Sequence, residues 1–143
     1  MRYIPPHERK RRPENRYKSI VIPYIETTYN KKTTKSFVLV KDTANNEYTF
    51  VVGGCKLNEQ METCALRELK EETRGIFGNI SKDKLVWGFQ FDSKERSPAE
   101  KRKDEKEGVD VTMIYTVYYL PLMGMNKTAF NKIIKPRFEN ARP

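Results

Sequence analysis

The chain has 143 residues, with 28 lysines and arginines against 19 acidic residues and a net charge of +9. This length is enough for one domain with its own hydrophobic core, and it excludes a small scaffold that depends on disulfides. The basic charge favours polyanionic partners such as nucleic acid or nucleotides, although it is also common in proteins that bind neither. No apolar run reaches membrane length and no hydrophobic signal segment opens the chain, so we expect a cytoplasmic protein without a membrane partner.

The first sixteen residues are rich in proline and arginine and almost free of apolar side chains. This composition predicts a flexible basic arm over residues 1–16, followed by one domain over residues 17–143. Arg9, Arg11 and Arg12 are candidates for contacts to RNA or to substrate phosphates. The alternative is a tail that only improves solubility.

Runs of β-branched and apolar residues predict strands over 18–22, 36–40 and 48–52. The polar stretch 27–34 is predicted as a loop. Residues 44–47 are predicted as a turn, since their asparagines tolerate a left-handed backbone.

The third strand leads directly into Gly53-Gly54, and a helix from about Asn58 to Thr73 is predicted to follow. Asn58 is a suitable N-cap, and Gly75 is placed to end the helix. Cys55 and Cys64 flank the start of this helix and are expected to be reduced thiols rather than a bridge. The apolar stripe of the helix has the spacing i, i+4, i+8 and consists of Met61, Ala65 and Leu69.

Three glutamates at i, i+3 and i+4 share another face of the predicted helix, namely Glu68, Glu71 and Glu72. Carboxylates on one stripe repel one another unless a cation lies among them, which indicates a divalent-metal site that works on phosphates. The alternative is a solvated face in which Arg67 and Glu71 form an ordinary i, i+4 ion pair. That pair explains neither the full cluster nor Glu59 upstream.

The segment Gly53–Ile76 resembles the Nudix box, the signature of the Nudix hydrolase family. Gly53 is followed by Glu59 at the family's spacing, and the sequence Arg-Glu-Leu-Lys-Glu-Glu of residues 67–72 is in register. One extra residue delays Gly75, and it follows every charged position, so it changes the helix exit more than the acidic face. The resemblance implies that residues 17–143 form a Nudix-type α/β/α sandwich with a mixed β-sheet, which also fits the predicted elements.

The resemblance implies a role for each matched residue. The three glutamates would bind Mg²⁺ or Mn²⁺, and one of them, Glu68 or Glu72, would be the base that activates water. Arg67 would pair with Glu59 and orient the acidic side chains. The Gly53 carbonyl would be a further metal ligand. The family commonly uses an additional acidic residue outside the box, for which we select Glu107 from the candidates Glu105, Glu107 and Asp110.

After the helix, alternating residues predict strands over 84–92 and 109–120. The charged stretch 93–108 between them is predicted as a flexible loop, either solvated or acting as a lid. Residues 126–134 are the remaining candidate for the closing helix of the fold. That helix is therefore short, or the chain is a truncated or reduced variant.

Trp87, Phe89 and Phe91 alternate along their strand and should share one face. Packing in the sheet core is the favoured interpretation, and stacking of Trp87 on a nucleotide base or an RNA cap is the alternative.

Together these features predict a magnesium-dependent or manganese-dependent hydrolase that cleaves a pyrophosphate linkage, with capped RNA as the leading substrate. A small nucleotide, a dinucleoside polyphosphate or a diphosphoinositol polyphosphate is the alternative substrate. A non-catalytic RNA-binding Nudix domain is the alternative of another class. The sequence leaves the oligomeric state open.

Overall fold

The computed structural model describes residues 10–42 and 46–135. The described strands are β1 (Arg12–Tyr29), β2 (Lys32–Phe37), β3 (Val40–Asp42), β4 (Glu47–Thr49), β5 (Val51–Gly54), β6 (Val86–Ser93) and β7 (Val109–Pro121). The helices are α1 (Met61–Glu72), α2 (Pro98–Glu107) and α3 (Lys127–Ala129), which continues as a π-helical segment, Phe130–Ile134. A 3₁₀ turn covers Lys82–Lys84.

The central sheet is mixed, as predicted. Its strand order is β2-β1-β7-β6, and β5 also pairs with β1. β1 and β7 run parallel from the Arg12–Val109 pair to the Tyr24–Pro121 pair, and the other pairings of this sheet are antiparallel. β3 and β4 form a separate two-stranded sheet. The predicted strands over 18–22 and 109–120 are therefore confirmed, and the strand predicted over 84–92 begins at Val86, after the 3₁₀ turn. The strands predicted over 36–40 and 48–52 are each interrupted, the first between β2 and β3 and the second between β4 and β5.

The predicted loop over 27–34 is wrong, because β1 and β2 extend through it as a hairpin. Only Asn30 and Lys31 form the turn, with positive φ angles of 50° and 63°. The flanking threonines are β-branched and suit a strand, and the Thr28 and Thr33 hydroxyls lie 3.1 Å apart across the hairpin. Their polarity reflects exposure of this end of the sheet rather than a loop.

The predicted arm over 1–16 is wrong for residues 12–16. These residues form the first part of β1, where they pair with residues 109–113 of β7. Arg12 also donates its backbone N–H to the Gly108 carbonyl at 3.0 Å. Hydrogen bonds to a distant strand overcome the polar composition, and composition alone does not reveal them. Residues 1–9, including Arg9, lie outside the described residues.

The predicted flexible loop over 93–108 is also wrong, because it contains α2. Ser97 and Glu100 form a capping box at the start of this helix, and Gly108 ends it with a φ of 69°. The Asp104 carboxylate is buried and accepts two hydrogen bonds from Arg96, at 2.7 and 3.0 Å. The Ser-Pro-Ala-Glu sequence at 97–100 was a usable helix-start signal.

The motif helix α1 begins later than predicted. Its N-cap is Gln60, whereas Asn58 lies in the preceding turn with a φ of 64°. α1 packs on one face of the sheet, and its Ala65 and Leu69 are buried there as the apolar stripe predicts. The core on this face comprises Val21, Val51, Ala65, Leu69, Tyr118 and Leu120.

Trp87, Phe89 and Phe91 do not share one face. The register of β6 shifts between Trp87 and Phe89, so Trp87 pairs with Tyr118 while Phe89 pairs with Val117. Directly opposed residues lie on the same face, so Trp87 faces the α1 side and the two phenylalanines face the other. All three side chains are exposed, by 62%, 47% and 41%, so the prediction of core packing is wrong.

The short closing helix agrees with the expectation for residues 126–134. Asn126 caps it by accepting a hydrogen bond from the Ala129 N–H at 2.8 Å. No helix among residues 10–42 and 46–135 is long and apolar enough to cross a membrane.

The expectation of two reduced thiols is wrong, because Cys55 and Cys64 form a disulfide. The bridge joins the residue after Gly54 to the first half of α1. Cys64 is fully buried, and its sulfur lies 3.3 Å from the Ser19 hydroxyl. The two cysteines are nine residues apart in sequence, which gave no indication that the chain between them folds back on itself.

We predict that reduction of this bridge lowers the free energy of unfolding by about 2–4 kcal/mol, because the crosslink restricts the unfolded chain. Urea unfolding with and without dithiothreitol measures the difference. The matched control is a Cys55→Ala, Cys64→Ala double variant, which should unfold at the same urea concentration in both conditions. Equal stability of the oxidised and reduced native chain would contradict the prediction.

Candidate active site

The glycine loop at the end of β5 lies against the middle of α1. Gly53 pairs with Ser19 of β1, which fixes its position on the sheet. The Glu68 residue is only 8% exposed, and a Cβ added at Gly53 would lie 1.9 Å from its carboxylate carbon. Only glycine therefore allows the carboxylate of Glu68 to approach the loop so closely.

Arg67 connects the box residues through its guanidinium. Its Nε and Nη2 both donate to the Glu59 carboxylate at 2.9 Å, and Nη2 also donates to the Gly54 carbonyl at 2.9 Å. Nη1 donates to the Glu68 carboxylate at 2.7 Å and to Glu71 at 3.4 Å. The structure thus contains the Arg67–Glu59 contact that the resemblance implies. The same guanidinium also contacts the glycine loop, through the Gly54 carbonyl.

These contacts favour the charged forms of both partners. The hydrogen bonds from Arg67, followed by that from the Lys56 backbone, lower the pKa of Glu59 to about 2. The pKa of Arg67 is raised, chiefly by its hydrogen bonds to Glu59. Because the Glu59 pKa is lower in the folded state, ionised Glu59 stabilises the fold above about pH 4.5. This contribution disappears as the pH falls from there toward 2.

The three glutamates of α1 differ in exposure. The Glu68 side chain is 10% exposed, the Glu71 side chain is 58% exposed, and Glu72 is also exposed. Their carboxylates do not form a tight triad. In the described part of the chain, the one group of three ligand-type residues within 4.8 Å is Cys55, Glu59 and Cys64, whose sulfurs are bonded to each other.

This arrangement nevertheless fits a magnesium-type ion. Mg²⁺ takes one or two carboxylates and completes its shell with water and substrate phosphate oxygens, so it does not need three convergent side chains. Glu68 supplies a fixed oxygen beside Gly53, and Glu71 and Glu72 supply exposed ones. The donor set consists of hard oxygen atoms, which suits Mg²⁺ or Mn²⁺.

The acidic residues selected outside the box lie elsewhere. Glu107 is at the end of α2 and pairs with Arg16 at 3.6 Å. α2 leads into Val109, which pairs with Arg12, whereas Gly53 pairs with Ser19 seven residues further along β1. That separation is roughly 20 Å along a strand. The Glu107 carboxylate itself contacts Arg16, which lies three residues before Ser19 on β1, so its role as a metal ligand stays a prediction. Asp110 pairs with Lys94 at 3.2 Å, and Glu105 is exposed on α2.

The predicted substrate-binding residues are not brought together with the box. Arg11 and Arg12 lie at the α2 end of β1, so they share the same separation of roughly 20 Å from Gly53. Trp87 lies on β6, the far edge strand, on the sheet face that carries α1.

Sequence reasoning missed a charged cavity beside the glycine loop. It has a volume of about 690 Å³, and its lining includes the basic residues Arg16, Lys18 and Lys56 and the acidic residues Glu14 and Glu59. Lys18 is there because β1 pairs with β5 at Gly54. The pairing of strands so distant in sequence could not be read from local patterns.

Residues 27–132 match the family model of the NUDIX domain. The match covers more than half of the chain and includes strands β2 to β7, the glycine loop and α1, but only the last three residues of β1. The chain therefore belongs to the NUDIX family, the class of hydrolases whose signature box the sequence resembles. No curated protein sequence matches it.

Solved structures of this family are similar to the chain. A MutT/nudix family protein from Enterococcus faecalis is 17% identical with a TM-score of 0.51, over 76% of this chain and 37% of that protein. The chain thus spans less than two thirds of that relative, and the likeness shows a shared fold. C. elegans Ap4A hydrolase is 17% identical over 80% of this chain and 74% of that one, with a TM-score of 0.45. A mutT/nudix family protein from Listeria innocua is 23% identical over 74% and 65%, with a TM-score of 0.43.

The close approach of Gly53 and Glu68 can be tested by adding one methyl group. We predict that Gly53→Ala lowers the free energy of unfolding by about 1–3 kcal/mol, because the new Cβ displaces the carboxylate that Arg67 holds. Gly54→Ala is the matched control, since a Cβ there meets nothing within 4 Å. It should stay within about 0.5 kcal/mol of the native chain in urea unfolding. Equal effects at both glycines would contradict the packing described here.

Proposed function

We propose that this chain is a hydrolase that depends on Mg²⁺ or Mn²⁺ and cleaves a pyrophosphate linkage in a nucleotide-type substrate. The observation that carries the proposal is the Arg67 network, which holds Glu68 against Gly53 within a box whose charged positions all match. A solvated helix face would need only the Arg67–Glu71 pair, which is the longest of the contacts made by this guanidinium, at 3.4 Å.

The residues of the box have different roles in this proposal. A bound divalent cation supplies a Lewis acid that offsets phosphate charge and makes water more acidic. Glu68, Glu71 and Glu72 provide the carboxylate oxygens that hold such an ion, and the Gly53 carbonyl is the proposed backbone ligand. Glu68 or Glu72 accepts the proton of the attacking water. Arg67 fixes the position of the Glu68 carboxylate, since its Nη1 donates a charge-assisted hydrogen bond to it at 2.7 Å.

Capped RNA is the substrate that we propose within this class. Arg12, Arg16 and Lys18 lie along the first half of β1, from the α2 end of the sheet to the glycine loop, with Glu14 between the first two. Arg16 also forms ion pairs with Glu14 at 2.6 Å and with Glu107 at 3.6 Å, so the charge of this row is partly compensated. Arg16 and Lys18 line the charged cavity there. Spaced cations of this kind suit the phosphates of a polynucleotide, which are read without regard to sequence. A small nucleotide or a dinucleoside polyphosphate would contact only the basic residues of β1 that lie nearest the glycine loop.

The test is product analysis by mass spectrometry after incubation with Mg²⁺. The substrates are capped RNA, a dinucleoside polyphosphate, a nucleotide sugar and a diphosphoinositol phosphate. We predict cleavage that EDTA abolishes and that Glu68→Gln and Glu72→Gln each lower at least about a hundredfold. The matched control is Glu105→Gln, which changes an exposed glutamate of α2 and should retain full turnover.

The outcomes separate the alternatives. Cleavage of capped RNA alone supports the RNA proposal, and cleavage confined to the smaller compounds overturns it while leaving the hydrolase proposal intact. RNA that binds equally well in EDTA, with no product from any substrate, would overturn the hydrolase proposal in favour of a binding module.

A further inference from the structure

A second cavity lies at the C-terminal end of α1. Its volume is about 480 Å³, and it is enclosed by the β2–β3 connection, the hairpin of β3 and β4, the exit of α1, and the segment from α3 to Ile134. Its buried floor is formed by Ile25, Thr73, Ile76 and Ile134. The aromatic side chains of Phe37 and Tyr48 lie at its exposed rim, where they are 52% and 69% accessible. The cavity thus offers a flat apolar ligand both a floor and exposed rings for stacking.

The charge of this cavity has one sign. Lys41, Lys127 and Lys135 line it, and its described lining includes neither aspartate nor glutamate. The Lys41 ammonium lies 5.8 Å from the centre of the Tyr48 ring, so a cation and an aromatic face are presented together. An apolar, aromatic cavity with three cations at its edge is complementary to a planar ring that carries phosphates.

The floor of this cavity adjoins the point where the chain departs from the family box. Thr73 and Arg74 stand where the box has one residue, and Arg74 turns the chain with a φ of 57° before Gly75. Thr73 is buried at the end of the helix, where both its N–H and its hydroxyl donate to the Leu69 carbonyl. Thr73 and Ile76, on either side of this turn, lie in the floor of the cavity. The cavity therefore begins directly beyond the acidic residues of α1.

We propose that this cavity binds the base and ribose of a nucleotide, with its lysines on the phosphates. This inference rests on the proposed function, since the nucleotide is the substrate class of that site. Thr73 directly follows Glu72, and it lies about 7–8 Å along the helix from Glu68. A di- or polyphosphate chain spans such a distance, so a nucleotide whose first phosphate contacts these lysines can extend its outer phosphates toward the glutamates of α1.

The test is binding of adenosine and guanosine monophosphates in EDTA by titration calorimetry, with ribose 5-phosphate as the probe that lacks a base. We expect ribose 5-phosphate to bind at least about tenfold more weakly than the monophosphates, because it has no base to stack on the aromatic rings. Tyr48→Ala should weaken monophosphate binding at least fivefold, and Tyr48→Phe should retain it. Tyr29→Ala is the matched control, since Tyr29 is 77% exposed on the distant hairpin.

Lys127→Ala should weaken the monophosphates and ribose 5-phosphate equally, with Lys32→Ala as its control. Equal affinity for nucleotide and ribose 5-phosphate, or Tyr48→Ala binding like the native chain, would overturn the proposal. Circular dichroism is the control for folding of each variant. Because Tyr48 is exposed, we expect its substitution to leave the fold intact. Binding in EDTA requires no turnover, so this proposal and the hydrolase proposal can fail separately. If the Tyr48→Ala variant had the same turnover as the native chain, only the cavity proposal would be rejected.

Discussion

The Arg67 guanidinium is the interaction on which the candidate site depends. It joins three parts of the chain that are separate in sequence: the carbonyl of the glycine loop, the Glu59 carboxylate before α1, and the glutamates of the helix. Its planar fork can satisfy all three at once, whereas a lysine ammonium could not reproduce the two parallel bonds to Glu59. The Glu68 side chain is consequently held, largely buried, beside a glycine. The other contacts in the box supply the frame for this one.

That frame is built by the sheet and by the disulfide. Gly53 and Gly54 are fixed by their pairing with Ser19 and Lys18 in β1. The Cys55–Cys64 bridge then joins the end of the loop to the core side of α1. The segment that carries Glu59 lies between the two cysteines, so it is anchored at both ends. The same β1 pairs with β7 over thirteen residues, and the basic residues of β1 extend from the α2 end of the sheet to the loop. One long strand therefore connects the candidate metal site with the residues that we propose contact RNA phosphates.

Local patterns in the sequence predicted the parts of this structure that local chemistry determines. The box spacing gave Glu68, Glu71 and Glu72 on one helix, and apolar periodicity gave the buried Ala65 and Leu69. Failures arose where distant contacts decide. Residues 12–16 became a strand because β7 lies beside them, and the aromatic side chains of β6 separated because the register shifts after Trp87. The α2 helix forms where a loop was predicted, because the local Ser97–Glu100 capping box starts a helix despite the high charge of the stretch.

The most direct test of the central claim is Mn²⁺ binding, followed by electron paramagnetic resonance, in the native chain and in Arg67→Met. If Arg67 acts only as a charge, its removal makes the site more negative and Mn²⁺ should bind more tightly. If it positions Glu68 beside Gly53, as proposed here, Mn²⁺ should bind at least about tenfold more weakly although the site has lost a positive charge. Arg102→Met, at an exposed position of α2, is the control and should leave binding unchanged. Equal or tighter Mn²⁺ binding by a folded Arg67→Met variant would contradict the account.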